Sequence, residues 1–168
     1  MFISHKDNKI IAFSQVEWEC RFSTKKIPLK DYWTWLESVT TDGVPDYSGE
    51  DYSVEEVDQD MDDFLASGHI TSDMDGDYYH LKWDSSSKKV VGDDDAKDAW
   101  ILSQEWKRIR TQRNRLLSES DWTQGADSPL TTQQKSDWAV YRTSLRTLPE
   151  DQSSVTSYSD INWPTKPS

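Results

Sequence analysis

Between Ala99 and Ser120, the residues Ala99, Leu102, Trp106, Ile109, Arg113, Leu116 and Ser120 recur at alternating spacings of three and four. An α-helix gathers such a series onto one face, because about 3.6 residues complete a turn. The stripe begins after Asp93-Asp94-Asp95 and ends among arginines, charges that suit the two ends of the helix dipole. About 25 residues from Asp95 make a rod roughly 37 Å long. Gly125 and Pro129 break it. Thr131-Thr-Gln-Gln134 then reads as a capping box, and Gln134, Trp138, Tyr141, Leu145 and Leu148 follow at spacings of four and three until Pro149 stops the series. The pattern predicts a helical hairpin over 93–148, with Trp122 where the first helix leaves and Trp138 in the second. Residues 149–168, rich in Ser and Pro, read as an extended tail that presents Trp163-Pro164.

Before Asp93 the periodicity is of another kind. Ile10, Ala12, Ser14, Val16, Trp18, Cys20 and Phe22 alternate with Gln15, Glu17, Glu19 and Arg21, which predicts one half-buried strand. It follows FISH across Lys6-Asp7-Asn8, a hairpin signal. After Pro28, the spacing of Tyr32, Trp35, Leu36 and Val39 predicts a short helix, and Asp42-Gly43 with Pro45 a loop. Ser53-Val-Glu-Glu56 reads as a capping box opening an acidic helix with Val54, Val57, Met61 and Phe64 on its apolar face, ending near Gly68. In HITSDMDGDYYHLKW, Asp75-Gly76 separates two strand-like segments, and DSSS leads on to KKVV, so a three-stranded meander is expected. The fold class is therefore α+β: a small mixed domain over 1–92 with antiparallel hairpins, then the helical hairpin and the tail.

Leu, Ile, Val and Phe make up only 31 of the 168 residues, which with a net charge of −12 points towards disorder. Nine Trp and seven Tyr reverse that reading, since each ring buries about 150–250 Å². A small core built from rings is expected. Residues 1–99 hold 10 Lys/Arg against 23 Asp/Glu, while residues 100–168 hold 9 against 8. A nucleic-acid binder needs a clustered basic surface, and the N-terminal half has the opposite, which argues against direct DNA or RNA binding. The acidic run from Asp42 to Asp98 could instead mimic nucleic acid and occupy a DNA-binding protein; a solvated acidic face is the ordinary explanation.

Cys20 is the only cysteine, so no intrachain disulfide forms and a reducing cytoplasm is the expected compartment. The N-terminal stretch MFISHKDNKIIAF carries charge, and no run approaches the roughly 18 apolar residues of a membrane span; neither a signal peptide nor a membrane helix is expected. His5, His69 and His80 stand in no metal-ligand or nucleophile pattern, and the six glycines form no phosphate-cradling loop. An enzyme is not expected, nor is a cofactor. Asp73, Asp75 and Asp77, with Asp84 further on, echo a calcium loop, but the glycine sits at the fourth loop position where the sixth is needed. A solvated Asp-Gly turn accounts for them better.

RNRLLSESDWTQGADSPL, then DWAVYRTSLRTLP, then NWPTKP carry a distinctive series: Arg113, Arg115, Leu116, Leu117, Ser120, Asp121, Trp122, Asp127, Pro129, Trp138, Tyr141, Arg142, Leu145, Arg146, Trp163 and Pro164. This series resembles the C-terminal module of tailed-bacteriophage tail assembly chaperones, the group that includes tail fibre assembly proteins. It covers about 60 residues of the 168. The resemblance implies a non-enzymatic helper that binds a phage tail or tail-fibre protein in the host cytoplasm during assembly. It equally allows a small structural component retained in the virion tail, baseplate or fibre, and it leaves a homo-oligomer open. The candidates for partner binding are Trp122, Trp138, Tyr141, Arg142, Arg146, Trp163 and Pro164, with packing of the hairpin itself the ordinary explanation for Trp122, Trp138 and Tyr141. One departure is Thr147, where the family has an acid after the last arginine of the second helix.

Overall fold

The computed structural model describes residues 1–74 and 76–168. Asp7 and Asn8 adopt positive φ of 50° and 64°, the turn that matches strand twist, and so join β1 (Phe2–Lys6) to β2 (Lys9–Ser14). The predicted long strand ends here. Ser14 Oγ accepts from the Val16 amide and donates to Glu19, and the chain continues as α1 (Glu17–Thr24). The alternation that suggested a strand also places Glu17 and Arg21 one helical turn apart, where they pair at 2.7 Å. α2 (Tyr32–Ser38) forms where expected, and the Asp42-Gly43 loop is the turn of a small ladder, β3 (Thr40–Thr41) with β4 (Val44–Pro45).

Ser53–Glu56 is a strand, β5, and not a helix start; it pairs antiparallel with β1, with Ile3 opposite Glu55. The reason is tertiary, since the free edge of β1 offers a row of backbone groups that a local capping box cannot satisfy. The cap lies one motif later: Asp60 accepts from the Asp62 and Asp63 amides, Asp63 accepts from the Asp60 amide, and α3 (Met61–Ala66) follows. The expected meander is also divided. β6 (Ile70–Asp73) and β7 (Gly76–Tyr79) form their own ladder, while β8 (Leu81–Asp84) and β9 (Lys89–Gly92) join the main sheet in the order β5-β1-β2-β8-β9. The break falls at buried His80, whose Nε2 lies 2.8 Å from Thr71 Oγ1 and whose backbone bonds His69 and Asp93.

The chain divides into two compact units, Met1–Lys97 and Asp98–Ser168. The first has a core of Ile3, Val57, Phe64, Leu81, Trp83 and Val90. Rings form a further cluster in this unit, with Phe22 5.5 Å from Trp35 and 5.3 Å from Tyr32. Beneath it, the Glu50 carboxylate, 5% exposed, pairs with Arg21 at 2.7 Å and accepts from the Tyr52 hydroxyl. Burial and the neighbouring carboxylate push that phenol far above its ordinary pKa.

α4 (Asp94–Glu119) is a single helix of 26 residues, and α5 (Thr132–Asp151) opens on the predicted box, Thr131 with Gln134. Pro149 does not stop α5. Proline removes one donor, but Gln152 N still reaches Leu148 O at 3.1 Å and the last turn closes. The two helices meet along Ile109 with Leu148, and along Leu116 and Leu117 with Trp138, Tyr141 and Leu145. The tail has little regular structure beyond a turn at Tyr158–Asp160, yet it is not free: Ile161 is buried with Ile109 and Leu148.

Candidate partner-binding site in the helical hairpin

The hairpin's joint is built on the carbonyls that a helix leaves unpaired at its C-terminus. α4 ends without a glycine cap. Arg142 takes that place from the facing helix, its Nη1 donating to Leu117 O and to Ser120 Oγ, both at 2.7 Å, and its Nη2 to Asp121 Oδ1 at 2.7 Å. Ser120 Oγ donates back to the carbonyls of Leu116 and Leu117, and the buried Thr123 hydroxyl donates to Ser120 O at 2.7 Å. The Arg142 side chain is 7% exposed and Asp121 65%, so the pair is anchored inside and open at one end. The fork geometry of a guanidinium suits this three-way bracket, and an ammonium would not reproduce it.

A ladder of rings stands on the bracket. Tyr141 meets Trp138 edge to face at 5.6 Å, and Trp138 meets Trp122 at 6.1 Å and 62°. Trp138 and Tyr141 are buried, whereas Trp122 is 54% exposed. Lys166 near the chain's end places its ammonium 5.8 Å from the Trp138 ring. Of the nominated residues, then, Trp138, Tyr141 and Arg142 form the support and Trp122 the outer rung, with Arg146 exposed on α5.

Trp163 and Pro164 are half-buried. Trp163 packs against both helical clusters and lies 5.8 Å from Tyr158. Two polar clamps fix the tail that carries it. The Gln152 amide exchanges two hydrogen bonds of 2.9 Å with the backbone of Asn162, and Glu105 accepts from the Tyr158 amide at 2.7 Å. That amide and Arg108 hold the Glu105 carboxyl below its usual value. Neither clamp has a signature in the sequence, because each joins residues remote from one another through backbone atoms. At the departure from the family pattern, Thr147 Oγ1 donates to Asp151 at 2.5 Å.

Residues 106–168 match the family model of the phage tail assembly chaperone protein. This stretch of the chain is similar to the phage tail assembly chaperone family. It occupies well under half of the chain, and the match supports a role in tail assembly. No curated protein and no solved structure matches the chain. Among the described residues, no three His, Cys, Asp or Glu come together as metal ligands. Asp73 and Asp77 lie on the β6–β7 ladder, where Asp77 accepts from Ser72 Oγ at 2.6 Å, and Asp75 lies outside the described residues. No helix among the described residues is long and apolar enough to cross a membrane.

Proposed function

We propose that the chaperone module binds a phage tail or tail-fibre protein during virion assembly in the host cytoplasm, without catalysis or cofactor, and that Trp122 is the centre of the contact. The observation that carries this reading is an indole more than half exposed yet held edge-on by a buried neighbour. A large ring already fixed in position loses little freedom on binding and offers its area to a partner, which is how a few aromatic residues dominate interfaces. Trp138, Tyr141 and Arg142 act beneath it as support, and Arg146, Trp163 and Pro164 extend the surface.

The test is co-expression with the tail-fibre protein. Trp122→Ala is expected to keep the melting temperature and lose capture by roughly tenfold, about 1.4 kcal/mol. Unchanged capture would remove Trp122 from the contact. Mass spectrometry of purified particles separates a helper that leaves from a component retained in the virion tail.

A further inference from the structure

The nine residues from Lys107 to Arg115 of α4 carry Lys107, Arg108, Arg110, Arg113 and Arg115 and no acid. Ile109 is wholly buried, so the opposite face of the helix, with Lys107, Arg108, Arg110 and Arg115, turns to solvent. Arg108 and Arg115 touch Glu105 and Glu119 but remain 64% and 65% exposed. The N-terminal unit carries a surface of the opposite character. Trp33 is 70% exposed, Val44 66% and Trp18 39%. Trp18, Tyr32, Leu36, Pro45 and Tyr47 wall an open cleft of about 590 Å³ with Glu17 at its rim, and Trp33 packs on Tyr32 at 5.1 Å. Exposed carboxylates of Glu37 and Asp46 follow Leu36 and Pro45 in the chain.

Exposed apolar surface rimmed by charge marks an interaction site. Arginine is the cation that both stacks on such rings and pairs with carboxylates. The cleft already holds one in that manner: the Arg21 guanidinium lies 4.0 Å from the Tyr47 ring centre and 2.7 Å from Glu17. We propose that the arginine face of α4 in one copy of the chain docks on the Trp18-Tyr32-Trp33 cleft of a second copy. Each copy then offers one face and uses the other, a head-to-tail contact that closes into a ring or runs on as an open array. The charge imbalance supplies the complementarity, since residues 1–99 hold 23 Asp/Glu against 10 Lys/Arg.

Sedimentation equilibrium of the full chain tests it. The mass should rise with concentration and fall back as salt screens the exposed charges, whose reach is about 10 Å at 0.1 M. Trp33→Ala, and separately Arg108→Glu with Arg110→Glu, should each leave a monomer with native circular dichroism. Mixed together, the two variants should form a one-to-one dimer and nothing larger, because only one competent pair of faces remains. If a variant loses its native spectrum, Trp33→Leu and Arg110→Gln replace it in the same mixing experiment. A wild-type chain that stays monomeric throughout, or variants that fail to complement each other, would overturn the proposal.

Discussion

In the N-terminal unit, Phe22, Tyr32, Trp35 and Tyr47 gather in a cluster of their own, distinct from the core around Phe64. In the C-terminal unit, Trp138, Tyr141 and Trp163 lie between the aliphatic side chains of two helices and a tail. The first arrangement leaves Trp33 and Trp18 exposed; the second leaves Trp122. A ring on a long amphipathic helix has its place fixed by the turn of the helix, whereas a ring on a short helix beside a loop is placed by whatever packs over it. The family match covers the C-terminal arrangement and not the N-terminal one.

The two units should unfold separately. Phe64→Ala and Leu145→Ala each empty a fully buried site and should cost about 3–5 kcal/mol. Peptide-resolved hydrogen exchange should then rise in residues 1–97 for the first and in 98–168 for the second. Faster exchange across both units in either variant would make them one cooperative body.

Arg142→Lys tests what holds the hairpin joint. It keeps the charge but loses the bracket to Leu117, Ser120 and Asp121, and a loss of about 2–3 kcal/mol is expected. A loss near zero in urea titration would mean that the rings alone hold the joint. Gln152→Ala removes the clamp on Asn162 and should cost about 1 kcal/mol, with faster exchange confined to the tail from Asn162 onward. Exchange unchanged there would assign the tail's order to Ile161 and Trp163 instead.

The smallest difference is in pH response. Burial lowers the pKa of His5 and His80 below the ordinary 6.5, so the unfolded chain takes up those protons first. The N-terminal unit should therefore keep its full stability above that value and lose part of it as pH falls from 6.5 towards the lowered values. The C-terminal unit has no histidine and should stay level over that range. Its Glu105 contribution is present above the ordinary 4.5 and is lost only as pH falls from there through the lowered value. Parallel loss of both units just below neutrality, followed by urea midpoints, would contradict this assignment.

Local pattern alone determined the helices α4 and α5, the Thr131 cap and the first hairpin, since each depends on residues within a turn or two of one another. The motif around Trp122, Trp138 and Arg142 was legible for the same reason, although its reading as contact residues did not reveal that Arg142 is the buried cap of the opposite helix. Tertiary structure decided the rest. Ser53–Glu56 became a strand because β1 had an open edge, and the alternation through Phe22 became a helix after Ser14. His80 divided the meander, and Gln152 and Glu105 tied down a tail whose composition suggested freedom. At α1 the deciding partners, Ser14, Glu17 and Glu19, are local ones that the alternating pattern masked. In the other cases the partner lies outside the local window, where a backbone group left unpaired costs more than a local propensity contributes.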